Sequence, residues 1–80
     1  MKIGKKDLFN LISKALSVSV KKINDKSKSA DFEEWDSLGQ LAIITSLDKK
    51  FKGKLNLNDI SEADDVKKII DFLKKKKVLT

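Results

Sequence analysis

Eighty residues with 18 basic and 12 acidic side chains, a formal charge of +6, is the size of one small domain, residues 1–80. The absence of cysteine excludes a disulfide staple, a thiolate nucleophile and cysteine-ligated zinc or iron–sulfur sites, and the absence of histidine excludes an imidazole base, a Ser-His-Asp triad and histidine metal ligands. The longest apolar run, Leu41-Ala42-Ile43-Ile44, is far too short to span a membrane or form a signal-peptide core, so the chain reads as soluble and compatible with the cytoplasm; a monomer is expected. A binding, carrier or scaffold role fits this composition better than self-sufficient catalysis, and no catalytic residue or metal ligand is assigned.

The predicted elements are almost all helical. Leu8, Leu11, Ile12, Ala15 and Leu16 follow the amphipathic template, with Asp7 near the positive end of the helix dipole. From about Ser17 to Trp35 no helix is evident. A loop of that length is unusual in a compact domain, and Val18, Val20, Ile23, Phe32 and Trp35 are expected to anchor it. Val18-Ser19-Val20 is the nearest approach to a strand and is too short to build a sheet.

The central helix is predicted from about Ser37 to Lys52. Ile43, Ile44, Leu47 and Phe51 share its core face, with Leu41 at the border. Leu38 and Ala42 lie well round from that face, beside Thr45. They form either a partner site or a patch covered by the preceding loop. Asn56 to Asp59 reads as a turn leading into a short helical turn, Ile60-Ser61-Glu62-Ala63. Val66, Ile69, Ile70 and Leu73 mark the last helix, with Asp64 or Asp65 as its cap and Lys74 to Lys77 as a solvated end. The expected core is Leu8, Leu11, Ile12, Ile43, Leu47, Phe51, Val66, Ile69, Ile70 and Leu73. The fold class is all-α: a small four-helix bundle of three main helices and a short third one.

Charge is unevenly distributed. Residues 1–30 carry a net +6, residues 31–48 a net −5 and residues 49–80 a net +5, and every basic residue is lysine. Lysine supplies non-specific phosphate affinity but lacks the bidentate fork of arginine. With five aromatics at mostly core-like positions and no nucleic-acid motif, no specific nucleic-acid partner is expected. Non-specific binding to nucleic acid or an anionic surface is one alternative function.

Asp36-Ser37-Leu38-Gly39 at the head of a helix resembles the phosphopantetheine attachment motif of acyl carrier proteins. The likeness continues through Leu41, Ile43, Ile44, Leu47, Asp48 and Phe51, and the order of elements along the whole chain matches that family. The resemblance implies an acyl-carrier-like four-helix bundle. It also implies a 4′-phosphopantetheine group, taken from coenzyme A by a magnesium-dependent phosphopantetheinyl transferase, on Ser37 between Asp36 and Leu38. Thioester-bound acyl or aminoacyl groups would then pass among activating and transferring enzymes of a fatty-acid-like or specialised biosynthetic pathway. Leu38, Leu41, Ala42 and Thr45 would contact those partners, with Glu33, Glu34, Asp36 and Asp48 supplying a negative field.

The residue chemistry is compatible with this. Without an imidazole base in the chain Ser37 is a poor nucleophile of its own, and a phosphodiester at a helix N-terminus meets free N–H groups and a favourable dipole. A plain helix cap by Asp36 or Ser37 is the competing reading. An unmodified carrier-like adaptor is a further alternative. Lys49 and Lys50, expected to be exposed, stand where the family usually carries acids. They either select dedicated partners or reflect a lysine-rich composition.

Overall fold

A computed structural model describes residues 2–80, and its order is set by where each apolar stripe begins and stops. Helix α1 spans Lys5–Leu16; the Gly4 N–H donates to the Asp7 carboxylate at 3.1 Å, satisfying one exposed donor at the helix start. Leu8, Ile12 and Leu16 are buried on its inner face, whereas Leu11, expected in the core, is only half-buried. Helix α2 spans Ser37–Lys50 and buries Gly39, Ile43 and Leu47. Helix α3 spans Val66–Lys75, and Val66, Ile69, Ile70, Phe72 and Leu73 are buried. Its cap is Asp65, which accepts the Lys68 N–H at 2.8 Å; Asp64 instead pairs with the Lys68 ammonium, also at 2.8 Å.

All three helices stop in the same way. Ser17, Lys52 and Lys77 adopt the left-handed conformation, with φ of 59°, 54° and 61°. The following N–H groups, of Val18, Gly53 and Val78, donate back to Ser13, Asp48 and Leu73 carbonyls. This is the closing pattern that usually employs glycine, here carried by residues with a Cβ.

The segment before α2 is not structureless. It contains two 3-10 turns, Val20–Lys22 and Ser29–Asp31, and is tied to the start of α3. The Ser29 N–H donates to the Asp64 carbonyl at 2.7 Å, and the Val66 N–H to the Ser27 carbonyl at 2.9 Å. Ile23 and Trp35 are buried, and Val18 and Phe32 pack against the core as anchors. Val20 is not an anchor: it is 40% exposed, since the 3-10 turn it opens faces solvent.

The short third element is a 3-10 turn, Leu57–Ile60, begun by Asn56, whose side chain accepts the Asn58 N–H. It therefore starts earlier than the Ile60–Ala63 expectation, because the Asn56 side chain fixes the turn where local polar chemistry allows it. Among the described residues the architecture is three α-helices, with residues 17–36 as a long connection between α1 and α2 and the Leu57–Ile60 turn between α2 and α3; where a four-helix bundle was expected, the short third element is this 3-10 turn and not an α-helix. Among the described residues there is no strand, only isolated bridges at Ile3/Leu79 and Lys28/Asp65. The first of these closes the chain: the Ile3 N–H donates to the Val78 carbonyl and the Thr80 N–H to the Ile3 carbonyl, burying Ile3 and Leu79 together. Lys74 to Lys77 remain exposed, as a solvated helix end should. No helix among the described residues is long and apolar enough to cross a membrane.

Leu47 is fully buried at the centre of this core. Leu47→Ala should cost about 2–5 kcal/mol in denaturant unfolding, a large part of what a domain this small possesses. Lys77 is exposed and left-handed, so Lys77→Gly should raise stability by roughly 0.5–1 kcal/mol, the relief of Cβ strain exceeding the entropy glycine adds to the unfolded chain. A thermal melt no higher than that of the parent would refute this account of the helix ends.

Candidate functional site

The head of α2 separates two roles that the sequence leaves joined. Asp36 is the cap: its carboxylate accepts the Gly39 N–H at 2.9 Å and its carbonyl the Gln40 N–H at 2.8 Å. Ser37 is the first helical residue, exposed, and its hydroxyl has no hydrogen-bond partner among the described residues. The backbone N–H groups of Ser37 and Leu38 likewise donate to no acceptor in the described chain. An oxygen carrying an anionic substituent there would meet two open donors and the positive end of a fourteen-residue helix.

Gly39 makes this placement possible. A Cβ at Gly39 would lie deep inside van der Waals contact of the Glu34 carbonyl oxygen and 2.8 Å from Leu16 Cδ2. The turn at residues 33–34 and the end of α1 therefore close directly onto the first turn of α2. This close approach has no sequence signature beyond a glycine inside a helix.

Gln40, one residue on, is a second feature that the sequence reading misses. Its Oε1 accepts the buried Trp35 indole N–H at 2.7 Å, while its Nε2 donates to the carbonyls of Ile60 at 3.3 Å and Ser61 at 3.2 Å. One amide thus joins the end of the long loop to the Leu57–Ile60 turn. The available signal was a polar residue one turn before Ile43 and Ile44, where the core stripe of α2 would otherwise continue.

Beside Ser37 runs an open groove of about 630 Å³ between α2 and the segment from Ser61 to Asp64. Trp35, Leu41, Ile44 and Ala63 form its apolar lining, and Ser37, Asp36, Gln40, Ser61, Glu62 and Asp64 its polar one. The Lys68 ammonium holds the Asp64 carboxyl below its ordinary range. Leu38 and Leu41 stand out in solvent at 76% and 61% exposure, so Leu41 belongs to the exposed patch and not to the core border. Thr45 is exposed and Ala42 half-buried, and the preceding loop does not cover Leu38 or Leu41.

Glu33 and Glu34 are exposed on the turn before α2, near Asp36. Asp48 is not part of that group. It lies eleven residues along the helix from Ser37, roughly 16 Å at the usual rise, against the closing turn at Gly53. At physiological salt that separation exceeds the screening length of about 8 Å. Lys49 and Lys50 are exposed as expected and line a second groove, between α1 and α2, with Lys14, Asp7, Asn10, Leu11 and Ser46. No set of three or more acidic side chains among the described residues could hold a metal ion. Comparison with known proteins finds no matching family model, no similar curated protein and no similar solved structure.

Gly39→Ala should destabilise the protein despite alanine's higher helix propensity. The Cβ must displace backbone, and overpacking of this kind costs about 1–3 kcal/mol against roughly 1 kcal/mol gained. Chemical unfolding of the variant checks it, and equal or greater stability would mean the close approach is absent.

Proposed function

We propose that the chain is an acyl-carrier-like protein that takes 4′-phosphopantetheine on Ser37 and presents thioester-bound acyl or aminoacyl groups to partner enzymes. The observation that supports this most directly is the division of labour at the head of α2. Asp36 caps the helix, so the Ser37 hydroxyl is exposed and unbonded. The open Ser37 and Leu38 N–H groups suit a phosphodiester, and the adjoining groove offers apolar and polar walls to whatever is tethered there. In this reading the Leu57–Ile60 turn corresponds to the short third helix of a carrier's four-helix arrangement.

The prosthetic group would supply the thiol that the chain lacks, and the protein would supply placement and recognition. On modification, the Ser37 oxygen forms the new phosphodiester bond as the pyrophosphate bond of coenzyme A breaks. The nucleotide half leaves, and the hydroxyl proton passes to a base on the transferase. Leu38 and Leu41 give partners an apolar foothold, bordered by Glu33, Glu34 and Asp36. Lys49 and Lys50 give the other end of α2 the opposite sign, so a matching partner surface would carry both charges.

Incubated with coenzyme A, magnesium and a broad-specificity phosphopantetheinyl transferase, the protein should gain one prosthetic group and one titratable thiol by intact mass and thiol assay. Ser37→Ala should gain neither and keep its helical spectrum. The other serines serve as controls, and Ser13 and Ser27 are also buried. If several transferases leave the folded chain unmodified, and chain expressed in its native cell is unmodified too, the carrier reading falls to the adaptor reading. Salt-sensitive duplex binding indifferent to Ser37→Ala would instead favour the lysine-rich binder.

A further inference from the structure

The carrier reading leaves Gln40 unexplained. Gln40, Ile43, Ile44 and Leu47 fall on one side of α2, so a glutamine occupies a place where the apolar stripe would continue. It also lines the groove that begins at Ser37. Its amide is engaged at both ends, to the Trp35 indole on one side and to the Ile60 and Ser61 carbonyls on the other. A chain passing from the groove into the core between α2 and the Leu57–Ile60 turn would have to break this bar. Doing so would leave the indole N–H of the buried Trp35 without a partner, which an alkyl chain cannot replace.

We propose that Gln40 is a specificity-determining bar that keeps a chain tethered at Ser37 in the open groove and out of the core, so that the carrier accepts short or polar acyl groups in preference to long alkyl ones. This rests on the carrier reading. A short or polar chain lies beside Ser61, Glu62 and Gln40 without loss of hydrogen bonding, whereas a long alkyl chain is held in the open, solvent-facing groove and gains no burial in the core.

The lack of native cysteine permits a test that needs no transferase. Ser37→Cys provides a single thiol, which is alkylated with an octyl iodoacetamide or with an ethylene-glycol iodoacetamide of matching length. With Gln40 present, the two adducts should melt at the same temperature, and the methyl resonances of Ile43 and Ile69 should coincide. With Gln40→Leu added, the octyl adduct should melt roughly 4 °C or more above the glycol adduct and should shift both methyl groups. The comparison is made within each variant, so any general loss of stability cancels. Should Gln40→Leu not fold, Gln40→Met keeps the length and removes the amide.

The proposal is overturned if the octyl chain moves the core methyl groups while Gln40 is intact, or if it stays out once the amide is gone. Because alkylation bypasses phosphopantetheine, failure of the bar is distinguishable from failure of the attachment reading, which intact mass after transferase treatment decides separately.

Discussion

The close approach at Gly39 is the constraint on which the rest of the molecule depends. With no Cβ in the way, the Glu34 carbonyl and the Leu16 side chain come directly against the first turn of α2. That contact fixes the end of α1, the end of the long loop and the start of α2 relative to one another. Asp36 can then reach the Gly39 N–H as a cap, and Ser37 is left at the rim with nothing to hold it inward. A larger residue would push the turn away, and the cap, the serine and the groove would move with it.

The long loop is ordered by polar accounting more than by apolar bulk. Only Ile23 and Trp35 of its large side chains are fully committed to the core. The remainder is held by backbone bonds from Ser27 and Ser29 to the start of α3, and by the Gln40 amide at Trp35. A buried indole N–H requires a partner, and the same glutamine that provides it also donates to the Ile60 and Ser61 carbonyls at the next turn. Loop, α2 and the Leu57–Ile60 turn are therefore one mechanical unit around the groove.

Electrostatics divides α2 along its length. Glu33, Glu34 and Asp36 gather at the Ser37 end, while Lys14, Lys49 and Lys50 line the groove between α1 and α2. Asp48 lies too far along the helix to add to the first group, being separated from it by more than a screening length. The apolar foothold of Leu38 and Leu41 sits toward the acidic end, in solvent.

The sequence by itself determined the three helices, because apolar spacing of three and four residues and acidic caps act locally: Leu8–Ile12–Leu16, Ile43–Leu47 and Ile69–Leu73 each mark a face without reference to any other segment. It also placed Ser37 at a helix start and Lys49 and Lys50 in solvent. Which of Asp36 and Ser37 caps α2, and which of Asp64 and Asp65 caps α3, depended on backbone direction at the turn, and only the folded chain settled it. Leu11 and Val20 were misjudged because burial is decided by what packs opposite, not by periodicity. The close approach at Gly39, the Gln40 link to the Leu57–Ile60 turn and the Ile3–Leu79 closure were not legible in the sequence for one reason: each depends on the approach of segments distant along the chain, and no local pattern records such an approach.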